Sequence, residues 1–283
     1  MTQSVLLTSH AREACVFQTL KQVVKENWQW RKQAWNLAKL ELVKTYRGAA
    51  LGWVWLFVKP AVYIAVYWFT ISVGLRSGND VNGQPFLLWL ACGVFPWFFM
   101  SDAINKGSDV YREYSYLVKR IRFPLSVISS FYMLSKMIVL VGTMAFVILF
   151  CIIFQVELTI YLIQLPLVFL IMYLFWTAWS MMLSPLSALS KDFAKLIQTL
   201  SMPFFWLSGI LFQLSSLPEA LQVVMAFNPV AWCVEAVRDC FIYQEWFFLD
   251  LEEFIPFLIV FAIVVALAMH NYRKLHNEVA DVL

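Results

Sequence analysis

The chain has 283 residues, 61% of them hydrophobic and only 14% charged, against about a quarter charged in soluble domains; that balance excludes an ordinary soluble globule and points to a protein that crosses a membrane several times. A net charge of +3 with scattered Lys and Arg offers no basic footprint for nucleic acid. Cys15, Cys92, Cys151, Cys233 and Cys240 contain no C-x-x-C and read as buried free thiols, and His10, His270 and His276 have neither ligand spacing nor a nucleophile beside them, so no metal or catalytic site is visible.

The segment MTQSVLLTSHAREACVF has no apolar run long enough for a signal-peptide core, so the N-terminus is expected to stay inside. From Val16 the pattern turns helical, with one stripe through Leu20, Trp28, Trp35, Ala38, Leu42 and Tyr46. A helix lying in the cytoplasmic membrane interface fits best, with Trp28, Trp35 and Leu42 buried and the stems of Arg31 and Lys39 snorkelling beside the tryptophans. An ordinary soluble amphipathic helix is the other reading. Residues 1–50 are thus expected to form a cytoplasmic segment, 51–270 a membrane domain and 271–283 a cytoplasmic tail.

Six spans are predicted in chain order: Leu51 to Leu75, Phe86 to Ile104, Leu125 to Phe154, Ile160 to Leu183, Leu196 to Leu214 and Phe254 to Met269. Most are long enough for a hydrocarbon core of about 30 Å. Between the fifth and sixth, Leu217 to Phe227 and Pro229 to Tyr243 are apolar pieces too short to cross separately, broken at Asn228 and Pro229; they read as a re-entrant outer hairpin facing an internal path. Within it Glu235 and Arg238 are three apart, on one helical face, and are expected to pair. The fold class is therefore an all-α membrane protein with six transmembrane helices, an N-terminal amphipathic interface helix and a re-entrant hairpin between helices five and six. Under this arrangement 17 of the 21 Lys and Arg fall on one side, which places both termini in the cytosol. Reading 217–243 as one full span would put the tail outside and is less favoured.

The loop NKGSDVYREYSYLVKRIRFP, Asn105 to Pro124, combines Lys106, Arg112, Lys119, Arg120 and Arg122 with Tyr111, Tyr114 and Tyr116. Such a mixture marks a cytoplasmic side and suits docking on a soluble partner. No G-x-x-x-x-G-K-[ST] occurs, so the chain has no phosphate-cradling loop of its own. If ATP drives it, a partner binds the ATP. Lys59 and Lys136 are the basic residues inside apolar spans; with Arg47 and Arg122 at the rim they are expected to form an entrance for an anionic substrate, snorkelling to lipid phosphates being the alternative.

Four stretches, YRGAALGWVW at 46–55, PWFFMSDAINKGSDVYREYSYLVKRIRFP at 96–124, KDF at 191–193 and NPVAWCVEAVRDCF at 228–241, resemble the permease subunits of ABC-2-type polysaccharide exporters, which include capsule, O-antigen and teichoic acid exporters. Within that family, YWFTISVGLRSGNDVNGQPFLLWL at 67–90 and YQEWFF at 243–248 look most like the wall teichoic acid exporter permease, although Lys59 stands before Pro60 where that pattern has Asn. The resemblance implies a homodimer paired with two copies of a separate ATP-binding cassette subunit, which holds ATP and Mg, in a bacterial cell membrane. It implies no enzyme activity on this chain and a lipid-linked glycan as cargo, teichoic acid-type polymer first, with capsule or O-antigen as the alternative. It also implies a coupling helix around Ser108 to Lys119, with Arg112, Tyr114, Tyr116 and Lys119 meeting the ATPase, and assigns the outer hairpin to Leu217 to Tyr243, with Asn228, Pro229, Glu235 and Arg238 in it. An integral membrane enzyme of envelope glycan synthesis is the rival from another class.

Overall fold

The computed structural model describes residues 17–47, 51–74, 80–121 and 123–282, and their regular structure is helical apart from one isolated bridge between Val81 and Gln84. Helices satisfy their own backbone groups segment by segment, which a chain this apolar requires. Helix α1 (residues 17–29) and α2 (Arg31–Tyr46) meet at Trp30. Next come α3 (Trp55–Trp68), extended by a π-helical turn Phe69–Gly74, and α4 (Phe86–Asn105). The loop that follows folds into a short turn Gly107–Asp109, α5 (Val110–Glu113) and α6 (Ser115–Ile121). Then α7 (Leu125–Ile153), α8 (Leu165–Leu189), α9 (Lys191–Leu207), α10 (Glu219–Ala226), α11 (Pro229–Arg238) and α12 (Leu251–Val282) complete the chain.

Among the described residues, five helical stretches are long and apolar enough to cross a membrane: Gly52–Gly74, Phe86–Lys119, Leu125–Ile153, Ile160–Leu189 and Leu251–Leu275. A further pair, Glu219–Ala226 with Pro229–Tyr243, is bent by 95° and makes a sixth only if counted as one span. The predicted fifth span, Leu196 to Leu214, is not among them. Its helix, α9, starts at Lys191, where the Ser190 hydroxyl accepts from the Phe193 N–H, and stops at Leu207. Two residues on, Gly209 has a φ of +67°, and a Cβ there would lie 2.7 Å from the Leu214 side chain. Glycine therefore permits a turn that ends the helix short. The predicted sixth span is longer than expected, because neither Gly nor Pro follows Pro256 to stop α12 before Val282.

Helix α4 is the centre of the bundle, with the run from Leu88 to Trp97 wholly buried against α7, α11, α3, α9 and α8. Helix α12 lies along α8. Helix α3 is peripheral, with Val62, Val66 and Phe69 exposed, an apolar surface of the kind that lipid or another subunit covers. In lipid, helix association relies on close packing rather than on the hydrophobic effect, which favours small residues at contacts.

The N-terminal stripe divides on this ground. Ala34, Ala38 and Leu42 are buried and α2 packs on α7, whereas Trp28 and Trp35 are exposed. The alanines let the two backbones approach where tryptophans would hold them apart. Arg31 lies over the Trp28 ring at 4.7 Å and Lys39 over Trp35 at 4.9 Å, so cation and ring share the outer face. Near the end of α1, the Glu26 carboxylate accepts from Ser126 on α7 and from Tyr272 on α12 (2.7 Å), which ties the N-terminal helices to both.

Candidate functional site

Between α3, α4 and α7 lies a pocket of about 570 Å³ lined by Lys59, Asp102, Lys106 and Lys136 together with Tyr63 and Phe98. Lys59 occupies the second turn of α3 beside Pro60, and its ammonium stands 5.7 Å from the Phe98 ring centroid. Lys136 projects from α7 with only 9% of its side chain exposed; its Nζ is 3.6 Å from Asp102 Oδ2 and 5.1 Å from the centre of the Tyr132 ring. Three lysines against one carboxylate leave the pocket positive, and its aromatic walls offer apolar faces. It is thus suited to an anion attached to a larger, partly apolar body. Lys59 and Lys136 both line this pocket, and four free thiols, Cys92, Cys151, Cys233 and Cys240, are buried elsewhere in the bundle. Arg47 is exposed and does not line the pocket, while Arg122 and Cys15 lie outside the described residues. The sequence reading overlooked Asp102 and Lys106 as pocket residues; the signal was available, since Asp102 is an ionisable side chain within a predicted span.

The loop after α4 is held at its root. The Gly107 carbonyl accepts hydrogen bonds from Ser180 (2.6 Å) and Ser184 (2.8 Å) of α8, and Asn105 Nδ2 donates to Ser201 of α9 at 3.1 Å. Arg112, half-buried, donates to the Ser187 carbonyl near the end of α8 and lies 3.4 Å from Asp109. Tyr114 faces inward, a correction to its expected place on a docking surface. Its hydroxyl donates to Glu41 of α2 and its ring meets Phe131 edge-on at 5.0 Å. A tyrosine whose hydroxyl finds a buried carboxylate gains from sinking its ring, and the same bond fastens the loop to the N-terminal helix. Lys44 reaches Glu113 at 3.3 Å and Glu41 at 3.5 Å. Burial alone lowers the Lys44 ammonium, but the two carboxylates carry it above the ordinary lysine value. Tyr116, 52% exposed, and Lys119 are left facing outward.

The third cluster joins α11 to the end of α9. Asn228 caps α11, its Oδ1 accepting from Val230 N–H at 3.0 Å and its Nδ2 donating to Ser208 at 2.8 Å, with Pro229 in the first turn. Arg238 is fully buried and pairs with Glu235 at 2.8 Å, as expected from their spacing. It also donates to the carbonyls of Gly209 (2.9 Å) and Ile210 (3.0 Å), and its guanidinium lies 3.6 Å from the Trp89 ring centroid. The cation thus covers carbonyls just beyond a helix C-terminus, where acceptors are unpaired and the dipole favours positive charge. Gly93 on α4 makes room for it, since a Cβ there would lie 2.8 Å from Arg238 Nη2. Spacing gave the ion pair; the carbonyl partners come from elements far apart in sequence.

Comparison with known proteins places the chain in a family. The family model for ABC-2 type transporters matches residues 32–242, which include α3 to α11 and most of α2. The chain is 22% identical to the O-antigen export system permease protein RfbA of Myxococcus xanthus, over 92% of this chain and 98% of that protein. It is 20% and 22% identical to two Klebsiella pneumoniae proteins of the same name, each over 86% of this chain and 92% of the relative. The matched region takes in the lysine pocket, the anchored loop and the Arg238 cluster together, and the chain is a member of the ABC-2 type transporter family.

Proposed function

We propose that this chain is the membrane permease subunit of an ATP-driven exporter that carries a lipid-linked polysaccharide from the cytoplasmic to the outer side of a bacterial cell membrane. It works as a homodimer with two copies of a separate ATP-binding cassette subunit, which holds the ATP and Mg and performs the hydrolysis. The similarity to O-antigen export permeases over nearly the full length of both chains puts an O-antigen-type glycan ahead of a teichoic acid-type polymer as cargo. The observation that carries the reading is the pocket: lysines for a lipid diphosphate beside aromatic faces for sugar C–H surfaces or a prenyl chain.

In this reading the partner ATPase pushes on the loop from Gly107 to Ile121, and the Ser180 and Ser184 bonds pass that push to α8. The exposed apolar face of α3 suits contact with the second protomer. Six spans are α3, α4, α7, α8, α9 and α12, both termini are cytoplasmic, and α1–α2 lie in the inner interface with Trp28 and Trp35 at headgroup level. Helix α9, about 26 Å long at 1.5 Å per residue, is the fifth span, and just beyond its end Arg238 and Asn228 bond the Gly209 and Ile210 carbonyls and the Ser208 hydroxyl. Cysteines introduced at Ser216 and Gln244 should both react with an impermeant reagent added outside; reaction from opposite sides would replace the re-entrant hairpin by a full span.

Substituting Lys59→Gln or Lys136→Gln should each lower the stimulation of ATP hydrolysis by cargo, with Arg tolerated better than Gln at both positions. Wild-type export by both glutamine variants would make these lysines membrane anchors only.

A further inference from the structure

The ion pair in the pocket lies close to the root of the coupling loop. Asp102 lies in the last turn of α4, its carbonyl accepting from the Lys106 N–H at 3.0 Å, five residues before Gly107, whose carbonyl α8 holds. Its side chain reaches Lys136 of α7 at 3.6 Å, too long for a hydrogen bond, and is 42% exposed while that of Lys136 is 9% exposed. The carboxylate therefore lowers the cost of the deep ammonium without locking onto it. Lys59 and Lys106 line the same space, so an incoming phosphate meets three cations, and a diphosphate ester carries more negative charge than the carboxylate it faces.

We infer that Asp102 is a resting counter-ion which a phosphate-bearing lipid headgroup displaces from Lys136, and that its release at the end of α4 is the signal by which a filled pocket reaches the coupling loop. This rests on the permease reading. It adds a positioning residue, Asp102, and a chemical class of ligand, a phosphate or diphosphate ester. The displacement is an exchange of ionic partners with no bond made or broken. By linkage, a ligand can shift the loop only as far as it prefers one state of the pair over the other, so removing the carboxylate should mimic the filled pocket.

The test uses the chain assembled with its ATPase partner in phosphatidylcholine nanodiscs, probed with a polyprenyl diphosphate or with phosphatidylglycerol. Wild type should hydrolyse ATP faster with the polyprenyl diphosphate and show no response to phosphatidylglycerol. Asp102→Asn should start faster than wild type by roughly 3- to 5-fold, the scale of one partly exposed ion pair, and gain nothing further from the probe. Asp102→Glu, which keeps the pair, should respond as wild type does, and Lys32→Gln on the exposed side of α2 serves as the control. An Asp102→Asn complex with the resting rate and response of wild type would overturn the inference. Equal stimulation of wild type by phosphatidylglycerol would overturn the assignment to cargo, because bilayer phosphate would then be the ligand. If Asp102→Asn fails to assemble, Lys136→Arg and Lys136→Gln decide: equal responses overturn the role of the pair, while a response kept only by arginine upholds it. Failure of the wild-type chain to bind an ATPase partner is a different result and removes the permease reading itself.

Discussion

Replacing Arg238 by alanine is expected to destabilise this protein strongly. The side chain is wholly buried, bonded to Glu235 and to the Gly209 and Ile210 carbonyls, and set against Trp89. Breaking a buried pair by deleting one partner costs about 3–5 kcal/mol, and here two carbonyls lose a donor as well. The expected result is a large drop in melting temperature of the purified chain, with the hairpin released from α9 and export lost. Arg238→Lys should recover only part, because an ammonium lacks the planar fork that reaches several acceptors at once. Gly93→Ala should resemble a mild form of the same defect, since its methyl would enter the space of the guanidinium. An Arg238→Ala chain that melts with wild type would show that these contacts carry no weight.

In the loop after α4 the structure divides residues that look alike in sequence. Tyr114→Ala should destabilise the chain by about 3 kcal/mol or more, as truncation of a large buried aromatic does, because its ring packs on Phe131 and its hydroxyl holds Glu41. Tyr116→Ala with Lys119→Glu should leave folding intact, these side chains being exposed. That double variant should nonetheless fail to couple ATP hydrolysis to export, by the reasoning that an exposed aromatic beside a cation is hot-spot composition. Melting curves and export assays on both proteins separate the two outcomes. Normal export by Tyr116→Ala/Lys119→Glu would take these two residues out of the coupling role and leave the loop's charge as a topology signal only.

Much of this was legible in the sequence because membrane residence makes local pattern decisive. Apolar length gave most of the spans, Asn228-Pro229 gave the start of α11, and an i,i+3 spacing gave the Glu235–Arg238 pair. What escaped depends on contacts between distant elements. Nothing in YREYSY distinguishes Tyr114, which meets a carboxylate 73 positions away, from Tyr116, which does not. Likewise Trp28 and Trp35 fall on a plausible apolar stripe, yet Ala34 and Ala38 take the contact with α7 because closeness of backbones, rather than apolar bulk, is what that contact needs. The end of α9 turns on the left-handed conformation of Gly209, and a glycine in an apolar run carries no mark of which conformation it adopts.

The most direct test of the exporter reading is reconstitution of the chain, with and without its ATP-binding partner, into sealed vesicles loaded by orientation with a labelled lipid-linked glycan on the ATP-accessible face. The expected result is movement of the glycan to the opposite face only when both subunits and hydrolysable ATP are present, with Lys59→Gln and Lys136→Gln each slowing it. A purified chain that binds no ATPase, or that alters the lipid-linked glycan chemically in the absence of ATP, would contradict the exporter reading and favour an envelope-glycan enzyme in its place.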